Sequence, residues 1–203
     1  MQTIATVEEL EAIYGDPVSL AVDKVALRMT PMYRRWIEAS RFLVLVTVGP
    51  EGTDGTPRGD DGPVVRIIDD RTVWLPDWRG NNRIDSLRNI VRDPRVSLMF
   101  MVPGCNNVVR INGKAVLSAD PEITGTFEQN GKHPRSVMIF TLDEMYFQCA
   151  KALMRSGLWV RGDESAAVPT AGDFLTEYRE NFGKKEAKEY DDGYPVYAAE
   201  RMW

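Results

Sequence analysis

The sequence predicts a mainly β fold with flanking helices, in which about six strands form an antiparallel barrel. Short apolar segments rich in β-branched residues recur between positions 42 and 149, and such runs are typical of strands. Glycine, proline, asparagine and aspartate separate them and indicate tight turns. Most connections are too short for the crossover helices that a parallel sheet requires, so the spacing favours an antiparallel barrel.

The first strand is predicted at FLVLVTV, residues 42–48, and is followed by a glycine- and proline-rich stretch that is typical of turns. Residues 63–68 and 72–76 then form a predicted hairpin around Asp69–Arg71. The remaining predicted strands are 95–102, 107–118, 136–143 and 145–149.

One short helix is predicted inside the strand-rich region. Ile84, Leu87 and Val91 recur at i, i+3 and i+7, which places them on one helix face. Pro94 lies just beyond its end, because the residue before a proline disfavours helix. We expect this helix to begin at Gly80-Asn81-Asn82.

The chain is predicted to form one globular unit with three parts. Residues 1–40 form an N-terminal helical cover, which Pro31 interrupts or restarts. Residues 41–160 form the barrel. Residues 161–203 form a charged helix and an aromatic tail, which we expect to pack on the body or on a partner subunit because exposed aromatic side chains are unfavourable in water.

Charge and hydropathy exclude several classes of protein. The net charge of −5 gives no basic surface for nucleic acid. The longest apolar run, residues 42–48, is far shorter than the ~20 residues of a membrane-spanning helix. The N-terminal residues lack the basic and apolar regions of a secretory signal. We therefore expect a soluble, cytoplasmic protein that binds neither nucleic acid nor membrane.

Residues suited to metal binding or to nucleophilic catalysis are scarce. Cys105 and Cys149 are too far apart for a CxxC motif, and we expect both to be reduced thiols. His133 is the only histidine, so every triad would depend on it. We predict no metal site and no catalytic side chain. His133 could ligate haem, but its surroundings, NGKHPRS, favour an exposed loop.

The segment LPDWRGNNRIDSLRNIVRDPRVSLMF, residues 75–100, is the most informative one. It brings Asn82, Arg83 and Ser86 to the start of a helix, where unpaired N–H groups and the helix dipole favour an anion. These residues predict a phosphate site, although ordinary helix capping with a solvated Arg83 is the alternative. Upstream, Arg58 and Arg66 flank glycines that would admit a flat ligand, or they belong to a polar loop.

The same residues carry a family resemblance. The order PDWRGNNRIDSLRNI, DPRVSLMF, PG and VRINGKA resembles the pyridoxamine 5′-phosphate oxidase-related FMN-binding split barrels. The similarity covers residues 40–118, and QCAKALMRSGLW extends it to about residue 160. It implies a six-stranded antiparallel split barrel that forms a homodimer, with FMN in clefts at the subunit interface.

The resemblance also implies roles for individual residues. Asn82, Arg83 and Ser86 match positions that hold the FMN phosphate, and Arg58 joins them. The isoalloxazine ring would lie along the backbone near Val64 and Val65. Weaker matches assign cofactor contacts to one residue of the VRING strand and two residues from the other subunit: Arg110, Lys151 and Arg155.

The chain departs from true pyridoxamine phosphate oxidases, which close their site with a Trp, an Arg-x-His and a further Arg. Arg155 and Trp159 are present here, but no histidine follows His133, and Gln148 stands where related sequences have histidine. We expect an FMN-dependent oxidoreductase that transfers a hydride between the flavin and a nicotinamide or another small molecule. The alternatives are a non-catalytic flavin or haem carrier or sensor, and a dimeric interaction module without cofactor.

Overall fold

A computed structural model describes residues 1–203 of the chain and contains one antiparallel sheet with helices around it. The strands are β1 (Phe42–Gly49), β2 (Gly52–Gly59), β3 (Arg66–Ile67), β4 (Thr72–Asp77), β5 (Arg95–Met101), β6 (Val108–Ser118) and β7 (Ser136–Gln148). Their order across the sheet is β2-β1-β5-β6-β7-β4-β3, and every neighbouring pair is antiparallel. The mainly β, antiparallel prediction is confirmed.

The predicted count of six strands is wrong, because the sheet has seven. The predicted segments 136–143 and 145–149 belong to the single strand β7, and the additional strand is β2, which lies in the stretch that the sequence indicates as turns. Glycine and proline are depleted in strands, but an edge strand tolerates proline, and β2 pairs only with β1. The barrel is also not closed, since β2 and β3 are both edges of the sheet.

The core lies on one face of the sheet. Along β1 and β5, alternate residues are buried, as the two-residue period of a strand requires. The most deeply buried large side chains include Phe100, Phe140, Ile37, Leu43, Leu45, Leu98, Ile111 and Met145. Burial of apolar surface on this scale is the dominant stabilising contribution to a fold.

Strand β7 is continuous, whereas the sequence predicts two strands there, 136–143 and 145–149. A register shift at Asn112/Gly113 leaves Asp143 without a partner on β6, so the bulge accommodates the polar residues in mid-strand. Gly113 is required there, because a Cβ would collide with the Thr141 carbonyl oxygen and with the Phe140 ring.

The helices are α1 (Val7–Tyr14), α2 (Ser19–Asp23), α3 (Pro31–Glu38), α4 (Asp85–Arg92), α5 (Pro121–Thr124), α6 (Lys151–Ser156), α7 (Ala171–Tyr178) and α8 (Lys184–Ala199). Thr30 caps α3 and Pro31 occupies its first turn, so the proline restarts the helical region. The α1 and α2 helices bury no residue. None of the eight helices combines the length and apolar character that a membrane crossing requires.

The helix predicted from residue 80 begins later than expected. The α4 helix starts at Asp85, and Ile84 precedes it without a side-chain cap. Asn82 has a left-handed backbone with φ of 61°, and the Asn81 side chain accepts a hydrogen bond from the Arg83 N–H at 2.9 Å. Gly80-Asn81-Asn82 therefore form a turn between β4 and α4.

Candidate functional site

Arginine side chains converge where β4 leaves the sheet and α4 begins. Four arginines and one aspartate line a cavity of about 240 Å³, which we call the arginine pocket. Its lining includes Thr56, Arg58, Asp77, Arg79, Asn82, Arg83, Ser86 and Arg135. This lining carries three more positive than negative charges, although the whole chain is acidic. A local cationic pocket of this kind attracts an anion.

Arg58 reaches the pocket from β2. Alternate residues of this strand, Asp54, Thr56 and Arg58, are half-buried, while their neighbours are exposed. The Arg58 Nη1 donates to the Asp77 carboxylate at 2.8 Å, and its Nε is buried without a hydrogen-bond partner. Because buried polar groups are normally paired, this Nε is an exception among the polar atoms of the residues that line the pocket.

Arg83 lies at the mouth of the pocket and is largely exposed. Its Nε donates to the Asp85 carboxylate at 2.6 Å, and this hydrogen bond, together with the charge of Asp85, raises the pKa of the guanidinium. Arg83 therefore remains fully charged. Arg135 donates to the Asn82 side-chain oxygen at 3.1 Å, so it holds the left-handed turn in place.

Ser86 is buried on the first turn of α4. Its hydroxyl donates to the Asp54 carboxylate at 2.6 Å, so it already has a partner within the protein. An anion bound beside Ser86 would compete with Asp54 for this hydroxyl. The arginines are consequently the main source of attraction in the pocket.

A second cavity of about 200 Å³ adjoins the arginine pocket, because Arg58, Trp78, Arg79 and Gly80 line both of them. We call it the tryptophan cavity, after Trp78 and Trp203. Val64, Leu75, Pro76 and Met202 complete its apolar part. Val64, which we predict to lie along the flavin ring, therefore shares a cavity with Arg58, one of the predicted phosphate residues. The Val64 N–H donates to the Ser40 carbonyl oxygen at 2.9 Å, which fixes this backbone.

A third cavity of about 370 Å³ lies on the other side of Asp60 and Trp78, and Val65 lines it. The Asp60 carboxylate accepts from the Trp78 Nε1 at 2.7 Å and from the Gln129 side chain at 3.0 Å. These bonds fix the Trp78 indole, which lines all three cavities.

The other predicted residues lie elsewhere on the same chain. Arg110 is on β6, with its guanidinium 5.4 Å from the Tyr146 ring centroid and its Nε buried without a partner. Lys151 and Arg155 are exposed on α6, outside the lining of the three cavities. The structure thus brings together Arg58, Val64, Asn82, Arg83 and Ser86, with Val65 in the adjoining cavity.

Sequence reasoning missed several residues of the site. Thr56 shares the alternating face of β2 with Arg58, but this signal is hidden when the stretch is interpreted as turns. Arg79 belongs to the informative PDWRGNNR segment, and its charge was a usable signal. Arg135 and Trp203 are distant in the sequence, and no local pattern connects them with the pocket.

His133 and the cysteines are separate from the arginine pocket. The His133 Nδ1 is 2.6 Å from the Phe127 carbonyl oxygen, and the residue is exposed in its loop. Cys105 and Cys149 are both free thiols. No group of three or more His, Cys, Asp or Glu side chains is arranged to hold a metal ion.

Comparison with known proteins gives one family match. Residues 29–149 match the model of the family described as pyridoxamine 5′-phosphate oxidase. This range includes the whole sheet from β1 to β7 and all of the predicted site except Lys151 and Arg155. No curated protein matches the chain.

Several solved structures resemble part of this chain at low identity. HupZ from Group A Streptococcus is 15% identical with a TM-score of 0.49, covering 59% of this chain and 93% of HupZ. A candidate pyridoxamine 5′-phosphate oxidase from Lactobacillus delbrueckii is 16% identical with a TM-score of 0.48, covering 60% and 95%. General stress protein 26 from Bacillus anthracis is 18% identical with a TM-score of 0.41, covering 56% and 88%.

Proposed function

The chain belongs to the pyridoxamine 5′-phosphate oxidase family, and from this premise we propose that it is an FMN-dependent oxidoreductase acting on a small molecule. The observation that carries the proposal is the arginine pocket, which shares part of its wall with the partly apolar tryptophan cavity. FMN has the matching division into a dianionic phosphate and a flat aromatic ring.

The residues present fit the phosphate of FMN. Arg58 lines the pocket and has a buried Nε without a partner, and Arg83 stays charged beside Asp85. Hydrogen bonds between guanidinium and phosphate are charge-assisted and are among the stronger ones in proteins. In this proposal, Arg58 and Arg83 hold the phosphate, and Asn82 shapes the turn around it. The Ser86 hydroxyl would turn from Asp54 to the phosphate.

The ring would occupy the tryptophan cavity along the backbone at Val64 and Val65. A bound flavin supplies the redox chemistry by accepting or releasing a hydride. The protein has to bind the cofactor, keep its ring in an apolar surrounding and leave one face open to a nicotinamide or another small molecule. We do not assign pyridoxamine 5′-phosphate as the substrate, because Arg155 and Trp159 come without the histidine of true oxidases.

We also propose a homodimer with the cofactor at the interface. The sheet face opposite the core carries half-exposed apolar side chains, including Phe42, Val46 and Met99. Arg110 lies on this face, since it pairs with Met99 across the strands. A partner on this face would cover the apolar row and lie beside Arg110. It would also bring Lys151 and Arg155 to the other subunit's site.

The absorbance spectrum of the purified protein tests the cofactor. Bands of oxidised flavin support the proposal, whereas a Soret band would favour the haem alternative, with His133 as the available ligand. A colourless protein that takes up no FMN on titration would favour the interaction module. Flavin that binds but is not reduced by NADH, NADPH or small-molecule donors would favour a carrier or sensor.

Replacing Arg83 with alanine tests the phosphate assignment. Since a hydrogen bond to a charged group contributes about 1.5–3 kcal/mol, we expect FMN affinity to fall about tenfold to a hundredfold, measured by quenching of flavin fluorescence on titration. Arg161→Ala is the matched control, because Arg161 is also exposed and pairs with a nearby acid, Glu164, outside the pocket. Equal FMN affinity in both variants would contradict the phosphate site.

A further inference from the structure

We propose that Trp203 is a wall of the flavin-ring site, although it lies far beyond residue 149, where the family match ends. This inference rests on the proposed function, because it concerns the cavity that would receive the flavin ring. It adds a binding residue from the helical tail to a site that the sheet otherwise forms.

The position of the Trp203 side chain carries the inference. Its ring lies 5.3 Å from that of Trp78 between centroids, at an interplanar angle of 81°. Both residues line the tryptophan cavity together with Val64 and Arg58. The backbone at Val64, along which we place the flavin ring, therefore forms one part of the cavity wall. The indole of Trp203 forms another part.

Trp203 differs from the other aromatic side chains of the tail. Phe174, Tyr178, Tyr194 and Tyr197 are each more than half exposed, whereas Trp203 is partly buried against the sheet region. The tail therefore delivers this aromatic ring to the cavity, while these four aromatic residues face solvent.

The turn after α8 keeps Trp203 directed towards the tryptophan cavity. The Arg201 N–H donates to the Ala198 carbonyl oxygen at 3.0 Å, which continues the helical path beyond Ala199. The Arg201 guanidinium lies 4.2 Å from the Tyr197 ring centroid and pairs with Glu200 at 3.0 Å. These contacts limit the freedom of the segment that ends in Trp203.

An indole in this place suits the ring of a flavin. Aromatic rings attract one another in offset or edge-to-face arrangements, and an indole wall also keeps water away from a flat apolar ring. Trp78 is fixed by Asp60, so a ring in the cavity would meet one rigid indole from the sheet and one from the tail. Trp203 would therefore strengthen binding of the ring and not of the phosphate.

The test compares FMN with riboflavin, which has the same ring without the phosphate, on the full chain. We expect Trp203→Ala to weaken binding of both ligands by the same factor, about threefold to tenfold, and Trp203→Phe to retain most of the affinity. Arg83→Ala should weaken binding of FMN alone. Phe174→Ala, which removes an exposed aromatic ring from α7, is the control and should change neither affinity.

Each other outcome overturns the inference in a distinct way. Unchanged affinities in Trp203→Ala mean that Trp203 does not touch the ring. Tighter binding means that Trp203 occupies the place of the ring and competes with it. A loss for FMN alone assigns Trp203 to the phosphate. If the unaltered chain binds neither ligand, the proposed function fails, and the inference fails with it.

Circular dichroism spectra of Trp203→Ala and Trp203→Phe that match the unaltered chain establish that both are folded.

Discussion

The sheet and the helical tail of this protein contrast in how much they bury. The sheet encloses a cluster that includes Leu43, Leu98 and Phe140, all inaccessible to solvent. The tail helices α7 and α8 bury only Gly172 and Ala187, which are small residues at their mutual contact. Stability should therefore come from the sheet, and the tail should depend on short-range contacts and on Trp203.

The largest expected effect comes from removing a ring in the sheet core. Phe140→Ala should lower the free energy of unfolding by about 3–5 kcal/mol, because it removes buried apolar surface and leaves a cavity. Phe174→Ala in the tail should change it by no more than about 0.5 kcal/mol, since the side chain is exposed. Urea unfolding of both variants measures the contrast. Similar losses would show that the tail shares one cooperative core with the sheet.

An intermediate effect is expected inside the tail itself. At Gly172, an added Cβ would meet the Ala187 carbonyl oxygen and lie 2.7 Å from the Asp191 Oδ2. Gly172→Ala should therefore destabilise the packing of α7 on α8 by about 1–3 kcal/mol, as overpacking does. Amide hydrogen exchange should become faster in these two helices and stay unchanged in the sheet.

Gly193→Ala supplies the control for this prediction, because nothing lies within 4 Å of its added Cβ in α8. Alanine should stabilise that helix slightly, in line with its higher helix propensity. Faster exchange in the sheet strands of Gly172→Ala would contradict the separation of the two regions.

The smallest effect concerns an exposed ion pair at the start of β5. Hydrogen bonds from Arg95 lower the pKa of Asp93 from 3.8 to about 2. Because the folded pKa is the lower one, the pair stabilises the fold above about pH 4, and this contribution is lost as pH falls towards 2. The Tm difference between the unaltered chain and Asp93→Asn should be small, since the pair is exposed, and should shrink over this range.

The sheet could be predicted from the sequence to the extent that its strands follow a simple pattern. The apolar β1 and β5 segments alternate between buried and less buried positions, and Pro31 restarts a helix because its missing N–H is harmless there. Strand β2 could not be predicted, because glycine and proline indicate turns unless a neighbouring strand pairs with them. Pairing with β1 is a long-range property that no local signal contains.

The candidate site also contains residues that could be predicted from the sequence and residues that could not. Asn82, Arg83 and Ser86 could be predicted because they are neighbours in one segment, but the start of α4 was placed too early, since Asn82 adopts a left-handed turn. Arg135 and Trp203 could not be predicted, because only the folded chain brings them to the cavities. The assignments of Arg110, Lys151 and Arg155 remain predictions that depend on a second subunit.

The glycine- and proline-containing strand β2 also has a consequence for behaviour at high concentration. An open sheet edge can recruit strands from other molecules and so start fibril growth. Here one edge includes Pro57, which lacks an N–H to donate, and the opposite edge, β3, is only two residues long. Both edges are therefore poor templates for a further strand. The sheet can consequently stay open, without closing into a barrel, and still resist fibril formation.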